Sequence, residues 1–120
     1  MLQIKYLGSV KMLSVDYDLL IESLIKISMS IKNMNPYVSN IFLFGSFSKG
    51  NYTPESDVDV LIIVKKAALP FLERRDVFID FFKDIPFDVN VMVYTKEEIR
   101  KIRNMENSFI RKIMGEALEL

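Results

Sequence analysis

Apolar residues follow two different periods along this chain. Tyr17, Leu20, Ile21, Leu24, Ile25, Ile27 and Ile31 recur at helical spacing. They predict a helix that opens at Ser14, carries Asp16 and Asp18 in its positive first turn, and stops at Asn35-Pro36. Ile41-Phe42-Leu43-Phe44, ending at Gly45, predicts a short buried strand, and Val58 to Val64 a second one richer in β-branched residues. Phe71 to Phe82 returns to helical spacing, with Pro70 suited to entry and Pro86 to exit. Phe87 to Tyr94 alternates: Phe87, Val89, Val91 and Val93 share one face, while Asp88, Asn90, Met92 and Tyr94 share the other. Thr95-Lys96-Glu97-Glu98 fits a capping box and starts another helix. A last helix runs from Asn107 to Gly115 and buries Phe109, Ile110, Ile113 and Met114. Residues 2–12 alternate weakly and break at Gly8-Ser9, as a short hairpin or arm would.

The order helix, strand, strand, helix, strand, helix, helix predicts a small α/β or α+β sandwich. With 120 residues, the chain reads as one domain, 1–120. Half of its residues are apolar and 27% are charged, which excludes disorder as its main state. It carries 16 basic and 16 acidic residues, so it does not resemble a basic nucleic-acid-binding module, and no long nucleic acid is expected as partner. No apolar run is long enough for a membrane span, and Met1-Leu2-Gln3-Ile4-Lys5 does not open a secretory leader. A cytoplasmic protein with no membrane partner is the expectation. The absence of Cys and His excludes disulfides, thiolate metal sites, imidazole bases and Ser-His-Asp triads. A metal would have to be held by oxygen, which selects a hard cation such as Mg²⁺.

The candidate chemistry lies in Gly45-Ser46-Phe47-Ser48-Lys49-Gly50 and in Ser56-Asp57-Val58-Asp59. Residues two apart on a strand share a face, with Cβ atoms roughly 6.6 Å apart, so the Asp57 and Asp59 carboxylates can converge on one cation. Asp88 is the only carboxylate inside the third predicted strand. If it shares their face it completes a cluster, and three such carboxylates repel one another without a cation. A strand ending in Gly45, followed by a Ser/Lys/Gly turn, offers backbone N–H groups to an anion. Ser46 adds a hydroxyl and Lys49 a point charge.

Gly45-Ser46, ten intervening residues and Asp57-Val58-Asp59, with Asp88 on a following strand, resembles the signature of the DNA polymerase beta-like nucleotidyltransferases. The short length and the Asp88 to Glu98 segment, followed by Asn107 to Ile113, are similar to the minimal nucleotidyltransferases. These are stand-alone domains often found as antitoxin partners of HEPN proteins. The resemblance spans residues 15–118 and leaves residues 1–12 as an N-terminal extension. It implies a small mixed sheet with helices packed on it. It also implies a transferase that moves a nucleoside monophosphate, AMP from ATP or another triphosphate, to an acceptor hydroxyl. Asp57, Asp59 and Asp88 would hold two Mg²⁺ ions, with Asp88 also helping to deprotonate the acceptor. Gly45, Ser46 and Lys49 would bind the triphosphate.

The acceptor implied by the small size is a hydroxyl on a partner HEPN toxin, in a homo- or hetero-oligomer, because larger relatives use an added domain to hold theirs. Phe47, beside the Gly-Ser turn, is the apolar residue expected to be exposed for that docking. A toxin-binding subunit without catalysis is one alternative. A drug-modifying nucleotidyltransferase is another, although 120 residues leave little room for a drug-holding domain. Arg74 and Arg75 are read as an exposed helix face, and the charged residues from Lys96 to Arg103 as a solvated one.

Overall fold

A helix needs a cap for its first N–H groups and an apolar stripe to bury. In the computed structural model, which describes residues 1–105 and 108–120, α1 (Tyr17–Met34) has both. Asp16 caps it by accepting from the Leu19 N–H, and Leu20, Leu24, Ser28 and Ile31 are buried. Ser14, the expected start, belongs instead to β2 (Val10–Val15), which pairs antiparallel with β1 (Leu2–Leu7) around Gly8. The N-terminal segment is thus a hairpin, forming a two-stranded sheet of its own.

The main sheet has four strands in the order β5-β4-β3-β6. β3 (Val38–Phe44) and β4 (Val58–Val64) are antiparallel, β4 and β5 (Val89–Thr95) are parallel, and β6 (Leu118–Glu119) closes the β3 edge antiparallel. It is the small mixed sheet that the family resemblance implied. The capping box also forms: the Thr95 hydroxyl accepts from the Glu98 N–H and Glu98 accepts from the Thr95 N–H at the start of α3 (Lys96–Arg103). Ser108 caps α4 (Phe109–Glu116); Asn107, the expected start, lies outside the described residues.

Phe71 to Phe82 is not one α-helix. Two 3₁₀ helices, Phe71–Val77 and Ile79–Phe82, meet at Phe78. The first buries none of its side chains, so it has no apolar stripe to pack a regular helix down; Phe78 and Phe82 are the buried anchors of the pair. Arg74 is not the exposed residue expected. Its guanidinium donates to the Val93 carbonyl and, at 2.6 Å, to the Glu98 carboxylate.

Strand alternation divides the core. Val58, Val60, Ile62 and Val64 of β4 pack with α1, Phe78 and Phe82 on one face. Leu61 and Ile63 pack with Phe44, Ile99, Ile110 and Ile113, and so with α3 and α4, on the other. Asp59 falls in the second row, at the strand end beyond these apolar neighbours. Among the described residues, no helix is long and apolar enough to cross a membrane.

Candidate functional site

β3 ends at Phe44, directly across from Asp59 on β4. The chain turns at Gly45, with φ 74° and ψ −154°, into the one-turn helix α2 (Ser46–Lys49). A Cβ on Gly45 would overlap the Asp59 Oδ2 and lie 3.2 Å from its Cγ. The turn therefore exists to bring main chain against that carboxylate, and only glycine permits both the dihedral angles and the approach. Ser46 follows at the first position of α2, half-buried.

The turn is tied down from three sides. Phe47 is fully buried, which overturns its expected role as an exposed docking residue. Its ring stacks on Tyr52 at 5.0 Å and meets Phe87 edge-on at 5.1 Å. Tyr52 in turn stacks on Tyr17 at 5.2 Å, and the Tyr17 hydroxyl donates to the Phe47 carbonyl at 2.9 Å. These aromatic residues, drawn from α1, α2 and two loops, hold the turn in place. Burial, reinforced by Tyr52 and Asp18, pushes the Tyr17 hydroxyl above its ordinary pKa, so it remains a donor at neutral pH.

Asp57 and Asp59 precede and enter β4 on the same face, as their spacing requires. Burial pushes the Asp59 carboxyl up. Asn90 partly opposes this with a hydrogen bond, and the Asp57 charge adds to the rise. Among the described residues no lysine or arginine forms an ion pair with either aspartate. The pair thus has the hard oxygen donors, and lacks the counter-charge, that suit a divalent cation such as Mg²⁺.

Asp88 does not join them. Among the described residues, no group of three carboxylates comes together closely enough to hold a metal. Val58 pairs with Val89 and Asp59 with Asn90, so Asn90 lies across the ladder from Asp59. Its amide donates to Asp59 Oδ1 at 3.0 Å and to Asp57 Oδ2 at 3.3 Å. Asp88 precedes β5, where its backbone carbonyl accepts from the Val58 N–H. Its exposed side chain lines an open polar cleft of about 380 Å³ with Glu55, Ser56, Asp57 and Pro86. Lys49 is turned toward α4, with its Nζ 3.1 Å from Glu116 Oε2. Both are well exposed, so this pair contributes under about 1 kcal/mol and opens readily. The sequence brought forward neither Asn90 nor the Tyr17–Tyr52 stack as part of the site. Asn90 carried one signal, its place on the same face of the alternation as Asp88.

A family model described as a nucleotidyltransferase domain matches residues 24–118. A Methanocaldococcus jannaschii protein named as a protein adenylyltransferase, MJ0141, is 29% identical over 83 residues, which span 69% of this chain and 79% of that protein. The fold is similar to that of a nucleotidyltransferase from Sulfolobus solfataricus, with a TM-score of 0.61 and 17% identity over 86% of this chain and 80% of the other. It is similar also to a complex described as tri-AMPylated Shewanella oneidensis HEPN toxin with MNT antitoxin. There the TM-score is 0.52 and the identity 16%, over 86% of this chain and 70% of the other. At these identities the two structural likenesses speak for the fold.

Proposed function

The chain belongs to the nucleotidyltransferase domain family, and on that premise we propose that it transfers AMP from ATP to a hydroxyl group on a HEPN-type partner protein. The observation that carries the reading is the Asp57–Asp59 pair at the mouth of β4, set against the Gly45-Ser46 turn. The name of the Methanocaldococcus relative supports adenylyl transfer to protein. The Shewanella complex supports a HEPN partner. Residues 1–120 act as one nucleotidyltransferase domain, with the N-terminal hairpin as its extension.

Asp57 and Asp59 would hold Mg²⁺, which when bound offsets phosphate charge and the charge developing on the leaving group. Ser46 and the backbone after Gly45 orient the triphosphate. Lys49 adds its charge by exchanging Glu116 for phosphate. The partner's hydroxyl oxygen bonds to the α-phosphorus, the bond from that phosphorus to the β-bridging oxygen breaks, and pyrophosphate leaves. The hydroxyl proton passes to a carboxylate. Asp88, which lines the cleft beside Asp57, is the carboxylate we assign to that step.

The test is the intact mass of a co-expressed HEPN partner incubated with ATP and Mg²⁺. One or more added AMP units, lost with Asp57→Asn, are expected. Among the described residues no group of three carboxylates could hold a metal, which favours one second reading, a subunit that binds its partner without modifying it. An unmodified partner that is still bound and neutralised by the Asp57→Asn protein would select it.

A further inference from the structure

We propose that Asn90 is a positioning residue, a neutral bracket that holds Asp57 and Asp59 together in the metal-free protein and limits the site to one divalent cation from the protein's own charges. This rests on the reading of the pair as the metal site. The register places Asn90 across the parallel ladder from Asp59, on the same face. Its single NH₂ group supplies one hydrogen to each carboxylate, at 3.0 and 3.3 Å. An aspartate in that place would bring a third negative charge and no donor.

Two consequences follow from charge and hydrogen-bond inventory. Two carboxylates balance one divalent cation, so a second has to arrive with the triphosphate, whose oxygens carry the remaining charge. The amide also has two faces. Turned by half a rotation about its last side-chain bond, it offers Oδ1, a neutral oxygen suited to a hard cation. Asn90 thus holds the two carboxylates while no ion is present and can remain beside them when one binds. Asp88 lines the neighbouring cleft and, among the described residues, belongs to no group of three carboxylates that could hold a metal.

The experiment is Mn²⁺ binding to the nucleotide-free full chain by electron paramagnetic resonance, paired with melting of the metal-free protein. Asn90→Asp is expected to tighten Mn²⁺ binding by at least about tenfold, since ligand charge sets divalent affinity in oxygen sites. It should lower the metal-free melting temperature, and Mn²⁺ should restore it. Asn90→Ala keeps both carboxylates but removes the bracket. It should lower the metal-free melting temperature in the wild-type background and have a smaller effect beside Asp59→Asn, where the repulsion is already relieved. Unchanged Mn²⁺ affinity in Asn90→Asp would overturn the inference. So would an Asn90→Ala effect that is the same in both backgrounds. Mn²⁺ binding indifferent to Asp57→Asn and Asp59→Asn would instead remove the metal site itself. Wild-type binding that depends on both aspartates, with no response at Asn90, would remove only the role given to Asn90.

Discussion

Gly45→Ala perturbs the closest approach in the site. The native dihedrals, φ 74° and ψ −154°, lie in a region that side-chain-bearing residues enter at a cost of about 1–3 kcal/mol. The new methyl would also occupy the place of Asp59 Oδ2, with the Asp59 Cβ only 3.4 Å away. The β4 backbone is held by its ladders to β3 and β5, so the carboxylate side chain must yield. It can do so only by leaving its 3.0 Å hydrogen bond to Asn90, which is solvent-exposed and so contributes about 1 kcal/mol or less. Together these give a loss of about 2–4 kcal/mol from a total of ~5–15 kcal/mol. Gly50→Ala is the control. Gly50 has φ 83° and ψ 7°, with nothing within 4 Å of an added Cβ, so the cost is left-handed strain alone, about 1–2 kcal/mol. Urea midpoints at a common slope measure both, and a Mn²⁺ titration reads the carboxylate separately. Gly45→Ala should weaken Mn²⁺ binding and Gly50→Ala should not. Equal destabilisation by the two variants, with Mn²⁺ binding intact in both, would refute the argument that this turn is shaped around Asp59.

Two further outcomes follow from single contacts. Tyr17→Phe keeps the ring stack on Tyr52 but leaves the part-buried Phe47 carbonyl without its donor, and should cost about 1 kcal/mol in urea unfolding. No change would mean that water replaces the hydroxyl there. Glu98 and Asp59 should tilt the pH profile in opposite directions. Burial pushes the Glu98 carboxyl up, but hydrogen bonds from Arg74 and Thr95 outweigh it, so its folded pKa lies below the ordinary 4.5. Its stabilisation is present above that value and is lost as pH falls through the folded pKa. The wild type should therefore lose more stability on acidification than Glu98→Gln does. Asp59 lies above its ordinary 3.8, so the metal-free protein loses stability as pH rises through that raised pKa. Asp59→Asn should remove that loss and melt higher than wild type at pH 7 without metal. A lower melting point would contradict the assigned direction.

Local chemistry alone determined much of this protein. β4 runs from Val58 to Val64 as its apolar run predicted, because a β-branched stretch between turn residues has few other uses. The Thr95–Glu98 box starts α3 because both of its hydrogen bonds form within four residues. The Gly-Ser turn and the Asp-x-Asp spacing were legible for the same reason. What lay across the sheet was not. Alternation put Asp88 and Asn90 on one face with equal right, and only the β4–β5 register decided which of them meets Asp59. A slide of two residues would have set Asp88 across from Asp59 and pushed Asn90 against the buried Leu61. Phe47 looked exposed because its partners, Tyr52 and Phe87, come from separate loops. β6, two residues long, shows no periodicity at all and exists only because β3 offers it an edge. Periodicity reports which face a residue takes; pairing partners depend on contacts between distant segments, and these only the folded chain supplies.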